Sequence, residues 1–259
     1  MTALSIINPV YSLSGFAVGV LVGLTGVGGG SLMTPLLVLL FGFHPATAVG
    51  TDLLYASITK TGGTLVHSLN KTVDWSVTAR LAAGSIPAAV VTLLLLHHYG
   101  APSHAALIST TLGFALILTA ISVAFRPWIA AFAARLGEVS PRRVTVLTIL
   151  TGMALGVLVT VSSVGAGALG VTALILLYPK LPTVKIVGSD IAHAVPLTLV
   201  GGIGHLWMGT VNGPLLASLL VGSIPGIIIG SQFSTRVPDR VLRPILAATL
   251  LLVGGRLAF

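Results

Sequence analysis

Long apolar stretches separated by short polar segments fill nearly the whole chain. Six of these stretches are close to the roughly 20 residues that an α-helix needs to cross a bilayer. We therefore predict an all-α integral membrane protein with six ordinary membrane-spanning helices, near Val49–Leu69, Val77–His97, Ala105–Phe125, Ile186–Met208, Pro214–Phe233 and Val241–Ala258.

Two further apolar stretches, Val10–Phe43 and Val144–Pro179, are too long for one membrane crossing. Each is interrupted by a glycine-rich segment, Gly26–Gly30 in the first and Val164–Gly167 in the second. The pieces on either side run to about 13 to 20 residues, or roughly 20–30 Å of helix, so several are marginal as complete spans. We predict two glycine-broken helical hairpins, either re-entrant or nearly spanning.

The chain also contains an internal repeat. The tetrapeptide Val49–Asp52 returns as Val187–Asp190, and glycine, histidine and threonine positions follow in the same register. The glycine-rich breaks match at nearly the same offset, and Gly84–Pro87 also has a counterpart in the second half. A register kept over so many matches indicates two homologous halves. We assign the first transmembrane repeat to residues 1–125, a basic cytoplasmic linker to 126–143 and the second transmembrane repeat to 144–259.

Basic residues indicate the orientation of these segments, because Lys and Arg concentrate on the cytoplasmic side of membrane proteins. If each glycine-broken stretch enters and leaves on one side, every Lys and Arg except Lys60 and Arg256 becomes cytoplasmic. Each half then has a hairpin and three crossings, which inverts the second half and leaves both termini outside. Inverted-topology repeats with interrupted helices are typical of secondary transporters, whose substrate sites lie near the midplane between the repeats.

Composition agrees with a membrane location. Only 7% of the residues are charged and 55% are hydrophobic, whereas a soluble domain has about 25% charged residues. The net charge of +8 is spread between apolar runs rather than gathered on one face, which argues against nucleic-acid binding. Cysteine is absent, and we predict no cofactor or metal. The N-terminus lacks the basic segment and cleavage site of a removable signal peptide.

The glycine-rich breaks are candidate anion sites. Each precedes a helix whose first N–H groups are unpaired and whose dipole end is positive, so tips that point inward would offer backbone donors to an anion. The alternative is tight helix packing through small residues. The predicted substrate-binding residues are Thr25, Gly28, Gly29, Gly30, Ser31, Ser162, Ser163, Gly165, Ala166 and Gly167, together with Lys60.

Two acidic residues, Asp52 and Asp190, lie within predicted spans. Each follows Gly-Thr or Gly-Ser at the start of a span, so one interpretation is a capping residue in the first helical turn. The other interpretation is a group that couples transport to a proton or cation, as intramembrane carboxylates often do. The sequence leaves both interpretations open.

Other ionisable side chains also fall within spans. Lys60 lies near the middle of its span, where an unpaired ammonium is costly. It either faces an anion or Asp52, or extends its charge toward the cytoplasm. His67 and His205 occupy equivalent span ends, and His193 is mid-span. These histidines are candidates for proton relay and ion coupling, with simple hydrogen bonding as the alternative.

At these residues the chain resembles the sulfite exporter TauE/SafE family of bacterial membrane proteins. The similarity extends over essentially the whole chain. In the second half the glycine run is reduced to Gly165–Gly167, and Thr172 stands where Pro35 stands in the first half. The resemblance is carried by Gly26–Gly30 with Pro35, Gly50–Leu53, His67, Val73–Trp75, Gly84–Pro87 and their second-half counterparts.

The resemblance implies export of sulfite, sulfoacetate or a related small organosulfur or organic acid across the bacterial inner membrane, driven by an ion gradient. We therefore predict a non-enzymatic, multi-pass carrier that works by alternating access. Its expected partners are a small anion, a coupling proton or sodium ion and the lipid bilayer. The sequence leaves open whether two protomers form a homodimer.

Two other functions are compatible with parts of the pattern. An anion channel would use the same architecture without alternating access. An intramembrane aspartyl protease would use Asp52 and Asp190 as its two acids, but such acids must be close enough to share a proton. The predicted topology instead separates them by roughly 20 Å in depth.

Overall fold

The computed structural model describes residues 7–25, 30–99, 105–135, 140–233 and 239–259. Every regular element in these ranges is an α-helix, which confirms the predicted all-α class. The helices are α1 (Pro9–Thr25), α2 (Gly30–Leu39), α3 (Pro45–Leu69), α4 (Trp75–Tyr99), α5 (Ala105–Ala133), α6 (Pro141–Ser162), α7 (Ala168–Leu177), α8 (Thr183–Trp207), α9 (Gly213–Phe233) and α10 (Asp239–Ala258).

Helix length and composition agree with a multi-pass membrane protein. Among the described residues, α4, α5, α6, α8 and α9 are long and apolar enough to cross a membrane. Helix α3 has a similar length of 25 residues, but polar side chains interrupt its apolar sequence. The two shortest helices, α2 and α7, have ten residues each, or about 15 Å, which is half the thickness of a hydrocarbon core.

The two helices of the second glycine-broken stretch differ more in length than the predicted pieces of about 13 to 20 residues. Helix α6 has 22 residues and is long enough to cross a membrane by itself, while α7 has only ten. The uneven division arises because α6 continues without interruption to Ser162, and Ser163 then adopts a left-handed conformation with φ of 59°.

The first helix of each half packs along a helix of the other half. Helix α1 lies against α9, where Gly15 faces the backbone of Leu219 and Gly19 faces that of Ser223. Residue numbers rise together along both helices, so α1 and α9 run in the same direction. Small residues permit this close backbone approach. The equivalent contacts between α6 and α4 join Gly152 to Leu81 and Gly156 to Ser85.

Helices α3 and α8 form an antiparallel pair between the two halves. Gly50, near the start of α3, lies against the ring of His205 near the end of α8. Gly188, near the start of α8, lies in turn against the ring of His67 near the end of α3. Helices α5 and α10 also run antiparallel, with Gly113 against Ala258 and Gly254 against Ile117.

Both α3 and α8 end in the same histidine–threonine turn. The Thr72 hydroxyl donates to the His67 carbonyl at 3.0 Å and lies 2.8 Å from the ring nitrogen Nδ1. Thr210 makes the same two contacts with His205, each at 2.9 Å. These turns account for the repeated glycine, because each turn packs on the glycine of the opposite half.

The repeated hydroxyl residues also join the two halves. The Asp74 amide donates to the Ser189 hydroxyl at 2.8 Å, and the Asn212 amide donates to the Thr51 hydroxyl at 3.1 Å. The Val-Gly-Thr-Asp and Val-Gly-Ser-Asp repeats therefore position the central pair of helices as well as carrying the two buried acids.

The close packing of α4 on α6 predicts that even one methyl group will not fit there. A Cβ atom at Gly84 would collide with the Ile149 carbonyl oxygen. We expect Gly84→Ala to destabilise the protein by about 1–3 kcal/mol, the usual effect of overpacking. Gly62→Ala on α3 is the control, because a Cβ there has no neighbour within 4 Å. Thermal unfolding of the purified protein in detergent measures both effects, and equal unfolding temperatures for the two variants would contradict the packing.

Candidate functional site

Lys60 joins the first half to the glycine-rich break of the second. It lies on α3 with only 8% of its surface exposed, and its Nζ donates to the Ala166 carbonyl at 2.9 Å. The alternative interpretation, in which the ammonium extends toward the cytoplasm, is therefore wrong. A carbonyl of the break between α6 and α7 accepts a hydrogen bond from the ammonium, so one of its three donors is satisfied inside the fold.

The break between α6 and α7 has a backbone that needs glycine. Gly165 and Gly167 have φ values of 120° and 131°, a region that residues with a Cβ rarely adopt. Gly167 precedes the first residue of α7, and no side chain caps that helix. The start of α7 therefore presents backbone N–H groups inside the fold.

Asp190 lies against the start of α7 and is fully buried. Its Oδ1 occupies the space where a Cβ at Gly170 would lie. The Gly167 amide faces the carboxylate, and Lys60 and Arg126 act on it as neighbouring cations. Neither carboxylate oxygen completes a hydrogen bond. Positive charge and a helix N-terminus therefore compensate this acid.

Asp52 is also fully buried but has different neighbours. The Thr34 hydroxyl on α2 donates to its Oδ2 at 2.5 Å, while Oδ1 has no hydrogen-bond partner. Ser163, just after α6, lies beside the same carboxylate. Asp52 thus contacts the short helix of its own half and the break of the other half.

Neither aspartate caps its own helix, so that interpretation is wrong. Helix α3 begins at Pro45 and α8 begins at Thr183, which leaves both acids beyond the first turn. The reason is that each helix starts before the repeated tetrapeptide, at a proline or next to one, where proline's fixed φ suits the first helical positions.

The two acids lie far apart along the antiparallel pair α3–α8. Gly63 on α3 lies against Ile191 on α8, so Asp190 is level with the residue after Gly63. That level is twelve residues beyond Asp52, or about 18 Å at the rise of an α-helix. The acids are too far apart to share a proton as an aspartyl protease requires.

A histidine and a tyrosine occupy equivalent positions one turn after the two acids. The buried His193 has its Nε2 2.8 Å from the Ser85 hydroxyl, and its Nδ1 has no partner. Tyr55 faces Ser223 without completing a hydrogen bond. The repeated Gly-Ser-Ile-Pro sequence was the available signal for the two serines, which were not among the predicted site residues, and neither was Thr34.

His67 and His205 lie in the turns at the ends of α3 and α8. The ring of His205 is fully buried, and its Nε2 lies 3.1 Å from the Thr160 carbonyl oxygen. Both rings contact threonine hydroxyls of their own turns, and their part in ion coupling stays a prediction.

The structure describes some of the remaining predicted residues but not all of them. Ser162 donates its hydroxyl to the Leu158 carbonyl of its own helix at 2.7 Å. Gly28 and Gly29 lie outside the described residues. Thr25 ends α1, Gly30 begins α2 and Ser31 follows in α2. The structure therefore describes the second break and not the first.

The whole chain matches one family of membrane proteins. A family model described as "Sulfite exporter TauE/SafE" matches residues 11–257. The chain belongs to the TauE/SafE family. This confirms the resemblance found in the sequence.

Curated relatives of this TauE/SafE chain are named as probable membrane transporters. It is 42% identical over 255 residues to probable membrane transporter protein YjnA of Bacillus subtilis, covering 95% of this chain and 97% of the relative. It is 29% identical over 251 residues to YdhB of the same organism, covering 94% and 97%. MJ0441 of Methanocaldococcus jannaschii is 24% identical over 261 residues, covering 95% and 93%. No solved structure matches the chain.

The placement of Lys60 predicts an energetic coupling to Asp190 in this TauE/SafE protein. Lys60 is a neighbouring cation of Asp190 without bonding to it, and removing one of two opposite buried charges leaves the other less compensated. We expect Lys60→Met and Asp190→Asn each to destabilise the protein, and the double variant to lose about 0.5–3 kcal/mol less than the sum. Chemical unfolding in detergent measures the three variants.

The control for this coupling is the cycle of Lys60→Met with Asp52→Asn. Lys60 acts more strongly on Asp190 than on Asp52, so the coupling in the control cycle should be smaller. Additive losses for Lys60→Met and Asp190→Asn would contradict the pairing.

Proposed function

We propose that this TauE/SafE chain is a secondary transporter that carries a small anion across the bacterial inner membrane by alternating access. The observation that carries the proposal is the buried Lys60 ammonium, bonded to the Ala166 carbonyl at a glycine-rich break. An anion at this point meets a cation and the backbone N–H groups at the start of α7. Such convergent donors in a buried site recognise negative charge.

Two inverted-topology repeats form the scaffold of the proposed carrier. A two-fold axis in the membrane plane makes equivalent helices of the two halves antiparallel. The antiparallel pairs α3–α8 and α5–α10 support this arrangement, as do the matching pairs α1–α9 and α6–α4. In the proposed topology both termini lie outside, and residues 126–143 form the cytoplasmic linker between the repeats.

The proposed substrate is sulfite, sulfoacetate or a related small organosulfur or organic acid. The family's description supports a sulfur oxyanion, and the donors around Lys60 suit an oxyanion in general. We assign substrate binding to the second break, residues 163–167, with Lys60. The first break, including Gly28 and Gly29, is proposed as the counterpart from the repeat.

The buried charges support coupling to an ion gradient. At the centre of the described structure the buried carboxylates of Asp52 and Asp190 outnumber the single buried ammonium of Lys60. Bringing an anion into this region adds further negative charge, which is costly in a membrane interior. A proton or sodium ion that binds together with the anion offsets this cost. We therefore assign ion coupling to the two buried acids, Asp52 and Asp190, at least one of which binds the cation.

The proposed anion site predicts that bulk at the second break stops transport. Gly167→Leu puts a branched side chain at a residue whose φ is 131°. We expect no substrate-dependent flux from this variant in proteoliposomes, although the protein still inserts, and the same result for Gly29→Leu. Gly62→Leu is the matched control, because a Cβ at Gly62 has no neighbour within 4 Å. Full transport by Gly167→Leu and Gly29→Leu would remove the breaks from the mechanism.

Counterflow separates the proposed carrier from an anion channel of the same architecture. A carrier returns faster when it is loaded, so unlabelled anion on the opposite side should accelerate uptake of the labelled anion into proteoliposomes. A channel conducts without this exchange. Absence of acceleration, together with a measurable anion conductance, would contradict the carrier.

A further inference from the structure

The two buried aspartates are equivalent in the repeat but differ in their surroundings. Asp190 has Lys60 and Arg126 as neighbouring cations, and the Gly167 amide faces it. Lys60 also acts on Asp52, but less strongly. Asp52 therefore has fewer neighbouring cations than Asp190.

Hydroxyl groups lie beside Asp52 and one turn along α3, and several of these oxygen atoms have no hydrogen-bond partner. The Thr34 hydroxyl donates to Oδ2, which leaves Oδ1 without a hydrogen bond. The Ser163 hydroxyl lies beside this carboxylate and also lacks a hydrogen-bond partner. One turn along α3, the Tyr55 hydroxyl and the Ser223 hydroxyl that it faces are unpartnered too. All five residues are at most 4% exposed.

The end of α6 adds negative potential at the same place. Ser163 follows the last residue of α6 and adopts the left-handed conformation that ends the helix. The C-terminal end of a helix carries a partial negative charge from its unpaired carbonyl groups. In transporters with broken helices, such half-helix ends coordinate sodium ions or protons.

We propose that Asp52, the hydroxyls of Thr34 and Ser163 and the C-terminal end of α6 form a sodium site. Hard cations prefer carboxylate, carbonyl and hydroxyl oxygens, and one carboxylate matches the charge of a monovalent ion. A proton on Oδ1 would serve only one neighbouring oxygen, whereas a sodium ion accepts lone pairs from several. This inference rests on the proposed function, in which it identifies sodium as the coupling ion.

The geometry assigns the second acid a different role. The cations near Asp190 and the helix N-terminus before it disfavour a metal cation at that carboxylate. Asp190 stays with Lys60 at the anion site, and Asp52 holds the sodium ion. The repeat thus gives two equivalent acids, of which one binds the coupling ion.

Thermal unfolding of the purified full-length protein in detergent tests the site. The unfolding temperature is measured in NaCl, KCl and choline chloride at equal ionic strength, because a ligand that binds the folded state raises it. We expect stabilisation that is specific to NaCl in the wild type. Asp52→Asn should abolish it, and Thr34→Val and Ser163→Ala should each weaken the sodium affinity by roughly 10- to 100-fold.

Two variants serve as controls. Thr59→Val removes a hydroxyl two turns after Asp52 on α3, and that hydroxyl donates only to carbonyls of its own helix. Asp190→Asn removes the equivalent acid. Both should keep the response to sodium. Equal unfolding temperatures of the wild type in the three salts, or a sodium response that survives Asp52→Asn, would overturn the proposal.

Transport assays separate failure of this inference from failure of the proposed function. Anion transport that proceeds at full rate in sodium-free medium under a pH gradient would overturn the sodium site and leave the transporter intact. Absence of anion transport under every gradient, with sodium stabilisation retained, would overturn the transport function and leave the cation site.

Discussion

A buried ammonium must find a hydrogen-bond acceptor or a counter-charge, and Lys60 finds both across the boundary between the two halves. Its bond to Ala166 ties α3 of the first half to the break between α6 and α7 in the second. That break holds its shape because Gly165 and Gly167 accept positive φ values. The approach of α6 depends in turn on the glycines that let it pack on α4. The polar centre is therefore built from contacts that cross between halves.

The symmetric scaffold carries unequal chemistry. Lys60 in the first half is equivalent to Thr198 in the second. One turn after the two acids, Tyr55 is equivalent to His193. Asp190 consequently has two neighbouring cations, whereas Asp52 has two neighbouring hydroxyl groups. In our account this difference lets one acid stay with the anion site while the other holds the coupling ion. An anion and a cation that bind together also keep the buried charge small.

Much of the fold followed from the sequence because apolar length, glycine breaks and the register of a repeat are local signals. The place of Lys60 within a span also followed, whereas the sequence left open whether its charge is buried. The partners of the buried residues did not, since Thr34 reaches Asp52 and Ala166 reaches Lys60 only through tertiary packing. The position of the second break was predicted, since Val164–Gly167 lies directly before α7, but the difference in length between α6 and α7 was not.

If a cation enters the buried centre together with the anion, an imposed sodium or proton gradient must move the anion. Wild-type protein is placed in proteoliposomes with equal anion concentrations on both sides and the membrane potential held at zero. A sodium or proton gradient is then imposed, and net movement of labelled anion is measured. The account predicts net anion movement in the direction of the cation gradient. Anion movement that follows only its own gradient, whichever cation gradient is imposed, would contradict it.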